Sequence, residues 1–330
     1  MSPGRSCPGH YGYAPLLFRQ VPVERTQTLY AVGGLYGNPE ALAAVLDMKR
    51  EEERTRDTVT LVFNGDFNWF DVDPECFRLV NETVLEHVAT LGNVEAELQG
   101  SNDAGCGCAY PAYVDDATVE HSNRIMNRLR KTSAQFPELV MRLSALPKVR
   151  TFVIGDERIG VLHGDPKSLA GWHFAHEALD PNPSPRITPL TPEIDAQRWF
   201  TDAGVRVFLS SHTCLPVLRD FSVQGRRCIV ANNGAAGMPN FRGTRFGLIT
   251  RVSTTPSPVA ALYGVRIGKL HVEALPVHYN HEVWVGRFLA SWPQGSPAHA
   301  SYHDRICRGT RISPEQAVFL GNRLTAMHRK

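Results

Sequence analysis

No segment of the 330-residue chain approaches the roughly 18 consecutive apolar residues that a membrane-spanning helix requires. The first 25 residues hold Pro, Gly, Tyr and Arg but no apolar core, so no secretory leader is expected. An excess of one charge is also missing. Lys and Arg number 35 against 33 Asp and Glu, for a formal net charge of +2, and the basic residues are scattered. That excludes a basic stripe of the kind that binds nucleic acid or a membrane surface. A small phosphorylated molecule remains compatible, because local charge at a site does not show in a total. The 7 cysteines (Cys7, Cys76, Cys106, Cys108, Cys214, Cys228 and Cys307) are odd in number and mostly dispersed. This pattern is expected of reduced thiols in a cytoplasmic protein rather than of a disulfide framework. There is no internal repeat and no low-complexity tract. What remains, 42% hydrophobic and 21% charged, is an ordinary globular mixture long enough to bury a full core.

The order of patterns is informative. Thr28–Val32 reads as a buried strand followed by a glycine-rich turn at Gly33–Gly37. Asn38 suits a helix N-cap and Pro39 the first helical position, with Leu42, Val45 and Leu46 on one face to about Arg54. A second strand, Thr58–Phe63, ends at Asn64-Gly65-Asp66. A helix from Pro74 to about Ala89 precedes Gly92-Asn93. This alternation predicts a parallel sheet with helices on its faces and a ligand site beyond the carboxyl ends of its strands. Helices are expected at 117–131, 138–146 and 193–203, and a hairpin over 150–163. The second half is rich in strands, at 205–209, 217–221, 227–230, 246–251, 259–265 and 270–274. Asp180–Pro192 is a proline-rich loop. Three regions are expected: an N-terminal extension over 1–27, the main domain over 28–281, and a helical appendage over 282–330.

Five short segments at strand ends carry the chemistry: Gly34-Leu35-Tyr36-Gly37-Asn38, Asn64-Gly65-Asp66, Gly92-Asn93-Val94-Glu95, Val161-Leu162-His163-Gly164 and Ser211-His212-Thr213-Cys214. In order and spacing they resemble the motifs of the calcineurin-like metallophosphoesterases: Asp-x-His-Gly-Asn, Gly-Asp, Gly-Asn-His-Glu, a strand-terminal His-Gly, and Gly-His-Thr-His. Asn233-Gly234 echoes a sixth. The resemblance implies an α/β/β/α four-layer sandwich with a C-terminal helical extension. It also implies a metal-dependent phosphoesterase, in which metal ions hold the attacking and leaving oxygens of a phosphoryl group.

Carried over position by position, the resemblance implies one intact metal shell and one degenerate one. The intact shell is Asp66, Asn93, His163 and His212. The other shares Asp66 but has Gly34, Tyr36 and Cys214 where the family has Asp, His and His. Val94 stands where a histidine assists the leaving group. The expectation is therefore a remodelled site with one divalent ion (Zn, Mn or Fe), acting on a small phosphate mono- or diester. Its first-ion position would be empty or filled by the Tyr36 ring, with Asn64 or Tyr36 bonding the second oxygen of Asp66. The alternative is a non-catalytic relative that binds a phosphorylated ligand or a protein. Cys106-Gly107-Cys108 lacks the usual Cys-x-x-Cys spacing and is expected as two free thiols bordering the site. His173, His176, His278 and His281 have no expected role. Strand, Gly33–Gly37, helix could instead cradle a phosphate on backbone amides, but that leaves the other four segments unexplained.

Overall fold

Thr28–Val32 is buried at every position, which a strand achieves only inside a sheet covered on both faces. The computed structural model that shows this describes residues 2–54, 58–100, 104–183 and 190–321. The stretches 184–189 and 322–330, assigned above to the proline-rich loop and the helical appendage, lie outside the described residues.

The first half runs α1 (Leu17–Gln20), β1 (Val23–Arg25), β2 (Thr28–Val32), α2 (Pro39–Glu53), β3 (Val59–Asn64), α3 (Pro74–Val84), β4 (Val88–Thr90), α4 (Asn93–Glu97), α5 (Asp116–Ser133) and α6 (Pro137–Ser144). The hairpin β5 (Val149–Ile154) and β6 (Glu157–Leu162) follows, then α7 (His176–Leu179), α8 (Glu193–Ala203) and β7 (Val207–Ser210). Next come β8 (Pro216–Val223), β9 (Arg226–Asn233), β10 (Gly247–Ser253), β11 (Tyr263–Ile267) and β12 (Leu270–Val277). Two helices, α9 (His281–Ser291) and α10 (Pro297–Arg308), lead to a two-residue strand β13 (Val318–Phe319).

The strands form two mixed sheets, ordered β11-β12-β10-β2-β3-β4 and β1-β5-β6-β7-β9-β8-β13. Their inner faces meet through a dry layer that includes Leu29, Val62, Val161, Leu209 and Ile229. Helices α2, α3, α5 and α6 cover the outside of the first sheet, and α8 covers the second through Trp199 and Phe200. This is the expected α/β/β/α sandwich. Its helix starts follow simple chemistry: the Asn38 side chain accepts from the Ala41 amide at 3.0 Å, and Pro39 occupies the first turn.

Three expectations need correction. Helix α3 ends at Val84 rather than near Ala89, because Val88–Thr90 pairs in parallel with β3 as a strand. The strand expected over 259–265 begins at Tyr263, where pairing with β12 begins. The described tail is not helical throughout: after α9, α10 and a 3-10 turn at Pro314–Ala317, β13 adds to β8 in parallel. The appendage is anchored in the first core by Trp292, 1% exposed, whose indole N–H donates to the Phe70 carbonyl at 2.9 Å and whose ring lies under Arg128. Among the described residues no helix is long and apolar enough to cross a membrane.

One buried ion network ties the first sheet to α2. The Arg251 side chain, 0% exposed, pairs with Glu52 (2.6 Å, 1% exposed) and Glu273 (2.7 Å), and the Tyr30 hydroxyl donates to Glu52. Removing the cation would take the Arg251 charge from the buried Glu52 carboxylate. We expect Arg251→Ala to lower unfolding free energy by about 3–5 kcal/mol, measured by urea denaturation. A loss below about 1 kcal/mol would show that the network is neutral.

Candidate metal centre

The four side chains of the expected intact shell leave the carboxyl ends of strands in both sheets: Asp66 after β3, Asn93 after β4, His163 after β6 and His212 after β7. Small residues let these ends approach. Gly65 has φ +86°, and a Cβ there would lie 2.5 Å from His163 Nδ1 and 2.6 Å from the Gly92 Cα. Asp66 itself is left-handed, at φ +54°, a conformation a non-glycine residue keeps only when its surroundings enforce it. Glu95 does so. Fully buried, it accepts the Asp66 amide (2.8 Å), the Asn68 amide (3.2 Å) and the Asn68 side-chain amide (3.0 Å). Burial first, then the nearby Asp66 charge, pushes the Glu95 carboxyl up to about 7.

Three of the side chains gather around the fourth, His163. His163 Nε2 lies 3.2 Å from Asp66 Oδ1, 3.0 Å from Asn93 Oδ1 and 3.1 Å from His212 Nδ1. Backbone carbonyls set each orientation. His163 Nδ1 faces the Asn64 carbonyl at 2.9 Å, and His212 Nε2 faces the Cys108 carbonyl at 3.1 Å. A carbonyl only accepts, so these nitrogens carry the protons and the opposite ring nitrogens present lone pairs. Asn93 Nδ2 likewise donates to the Cys106 carbonyl at 3.0 Å, turning its Oδ1 inward. Three acceptors are therefore gathered around a fourth, His163 Nε2, in a buried space, an arrangement that calls for a cation. Tetrahedral donors around an ion at about 2.0–2.1 Å stand roughly 3.3–3.4 Å apart; the three separations from His163 Nε2 are 3.0–3.2 Å, and the Asp66, His163 and His212 donor atoms all lie within 4.8 Å of one another. The donor set fits a divalent ion bound by two imidazoles, a carboxylate and an amide oxygen.

Without such an ion, a proton is the smallest charge that relieves the cluster. Burial lowers the His163 pKa, but the Asp66 carboxylate more than offsets this and the net shift is upward. His212 is pushed down to about 3, by burial and then by the His163 charge, so it stays neutral.

The degenerate shell is closed by its own residues. Gly34 has φ +64°, and a Cβ there would lie 2.8 Å from Tyr36 Cε2 and 3.0 Å from its hydroxyl. The Tyr36 ring thus occupies the space a longer side chain at 34 would need. Its hydroxyl meets Cys214 Sγ at 2.7 Å, and burial pushes both the phenol and the thiol pKa up. A neutral phenol and thiol bonded to each other are poor metal donors. Neither Tyr36 nor Asn64 bonds Asp66 through its side chain, contrary to expectation. Asn64 Nδ2 donates to the Leu162 carbonyl, bridging the sheets, and Asp66 Oδ1 instead accepts the Val94 amide at 3.2 Å. Val94 contributes its backbone, and its side chain is buried in the core.

Cys106 and Cys108 border the site but are not free thiols: they form a disulfide, with Cα atoms 5.3 Å apart across Gly107. The turn at Gly107, φ +66°, brings the two Cα atoms within bridging range. Their loop is clamped by Arg130, which bonds Glu97 and the Gly105 carbonyl, while the buried Tyr11 hydroxyl donates to Glu97 at 2.7 Å. Sequence reasoning missed Glu95, Glu97 and Tyr11. The acidic residue closing Gly92-Asn93-Val94-Glu95 was a usable signal; Tyr11 and Glu97 gave none. His173 packs on Trp199, His176 and His281 each contact a backbone carbonyl, and His278 lies against Phe246; none reaches the cluster.

No protein-family model and no curated protein matches the sequence. Solved structures do match. A hypothetical protein of Pyrococcus horikoshii OT3 superposes with TM-score 0.54 at 15% identity, covering 88% of this chain and 100% of that one. A metallophosphoesterase from Sphaerobacter thermophilus superposes with TM-score 0.50 at 16% identity, covering 86% and 100%. The chain has the calcineurin-like metallophosphoesterase fold.

Two measurements check this geometry. Titration with Zn²⁺ or Mn²⁺ should give about one tight site per chain, lost in His163→Ala and in His212→Ala. Because the bound ion must displace the His163 proton, affinity should be full above the raised His163 value. It should fall by about tenfold per pH unit below it. Two tight sites, or affinity flat from pH 8 to 5, would refute the assignment. Separately, the denatured, unreduced protein should present the 5 free thiols outside the pair, and reduction should expose all 7.

Proposed function

We infer that the protein is a single-metal phosphoesterase acting on a small phosphate mono- or diester. The observation that carries the reading is the convergence of Asp66 Oδ1, Asn93 Oδ1, His163 Nε2 and His212 Nδ1, each aimed by a backbone partner. Such precision is costly in a buried space unless a cation is held there. A bound divalent ion would supply Lewis acidity toward a phosphoryl oxygen and would acidify water at the site.

The residues of the chain divide the remaining work. Asp66, Asn93, His163 and His212 hold and orient. Glu95 keeps Asp66 in its left-handed geometry. Trp172 fixes the Cys108 carbonyl behind His212 with its indole N–H at 2.9 Å and packs its ring edge on the imidazole. No side chain at position 94 can hand a proton to a leaving group, so substrates with acidic alcohols or phenols as leaving groups suit the site best.

The filled first-ion position favours a second reading, a pocket that binds a phosphorylated ligand without turnover. Tyr36 and Cys214 leave no open side chain there to activate a nucleophile.

A steady-state assay on bis(p-nitrophenyl) phosphate, with the protein loaded with Mn²⁺ or Zn²⁺, separates the two. We expect slow turnover, reduced by a further 10²-fold or about that in Asp66→Ala. Binding of phenylphosphonate without detectable turnover would support the second reading. Turnover indifferent to Asp66→Ala would refute the first.

A further inference from the structure

The C-terminal helix α10 brings a cation to the side of the site where the degenerate shell lies. Arg305 Nη2 donates to the Cys214 carbonyl at 2.7 Å and to Asn240 Oδ1 at 3.3 Å, and Nε donates to the Pro239 carbonyl at 3.1 Å. All three acceptors are neutral. No carboxylate pairs with Arg305 among the described residues, although the side chain is half-buried. Nη1 makes no hydrogen bond among them either. A half-buried guanidinium with a free edge and no counter-ion among the described residues is set to pair with an anion, and its planar fork suits phosphoryl oxygens.

Its position gives that anion a place. Cys214 is two residues beyond His212, a span of at most about 7 Å. The left-handed turn at Cys214, φ +62°, is held by its amide on the Ser211 carbonyl. Its carbonyl is thereby free to take Arg305, while its thiol meets Tyr36. Helix α10 is itself firmly seated: His121 Nδ1 bonds Ser301 Oγ at 2.8 Å, and the Tyr302 ring packs on Phe70 at 5.1 Å.

Resting on the single-metal reading above, we propose that Arg305 binds the non-bridging oxygens of a phosphoryl group held at the metal centre. It thereby does by charge what the degenerate shell does not do by coordination. The C-terminal extension is then part of the substrate site.

The test uses the full chain loaded with Mn²⁺ and phenylphosphonate, a non-hydrolysable probe, in isothermal titration. Arg305→Gln should bind the probe about 10- to 100-fold more weakly, Arg305→Lys should recover part of the loss, and the Mn²⁺ titration should be the same in all three proteins. In the unmutated protein, saturating probe should protect Arg305 from phenylglyoxal, read by peptide mass. That measurement stands even if Arg305→Gln does not fold. Equal probe affinity in Arg305→Gln, a parallel loss of Mn²⁺ affinity, or unprotected Arg305 overturns the proposal. A protein that binds Mn²⁺ but no probe also overturns it and leaves the metal assignment standing, whereas absence of Mn²⁺ binding removes the single-metal reading beneath it.

Discussion

Four hydrogen-bond acceptors turned toward one point are the constraint around which the centre of this protein is built. Nothing in the unfolded chain would hold Asp66 Oδ1, Asn93 Oδ1, His163 Nε2 and His212 Nδ1 together, since in water each would find its own donors. The fold overrides that preference through backbone partners behind each ligand: the carbonyls of Asn64, Cys106 and Cys108, and the amide of Val94. The ligands themselves follow strands of both sheets, while their partners lie in β3, in α4 and in the disulfide loop, so the arrangement exists only when the two sheets are closed on each other. The left-handed Asp66, the missing side chains at Gly65 and Gly92, and the buried Glu95 are local costs of that arrangement. Strain of this kind, about 1–3 kcal/mol per residue, persists at functional sites because the surroundings over-determine it.

The degenerate half obeys a different logic. Gly34 and Tyr36 are one substitution in structural terms, because the ring lies where a Cβ at 34 would sit. A carboxylate at 34 would need the ring to leave, and a ring at 36 needs a glycine at 34. Cys214 completes the set by meeting the hydroxyl. Tyr36 and Cys214 are bonded to each other there, although the Asn64 side-chain oxygen nearby is buried without a partner among the described residues.

The layers of the sandwich were legible in the sequence because strands and helices announce themselves by period and turn chemistry, which are local; the order of strands within each sheet was not. For the first position the sequence left two outcomes, empty or filled by the Tyr36 ring, and the structure places the ring against Gly34 in the same loop. What was not legible depends on distant contacts. Arg305 reaches Cys214 across 91 positions and Tyr11 reaches Glu97 across 86, and no local pattern announces either. The Cys106–Cys108 bond was misread because dispersal of the other cysteines says nothing about two residues in one turn. Helix α3 was read too long because helical spacing of apolar residues continues into Val88–Thr90, where pairing with β3 decides the outcome.

Charge connects the two halves. In the arrangement that the five motifs resemble, two ions face two carboxylates, one of them shared, which leaves the site doubly positive toward a phosphoryl dianion. Here Gly34 removes one carboxylate and the neutral Tyr36–Cys214 pair removes one ion's seat. One dication with Asp66 alone would leave the site only singly positive. Under the proposal above, the Arg305 guanidinium, lodged on the Pro239 and Cys214 carbonyls, would restore the missing charge. At an effective dielectric near 20, a unit charge about 5 Å from an anion contributes roughly 3 kcal/mol, enough to matter for binding a dianion. A guanidinium orients oxygens but does not acidify water, so the substitution preserves recognition more fully than catalysis. That asymmetry is the physical reason to expect a site that grips a phosphoryl group well and turns it over slowly.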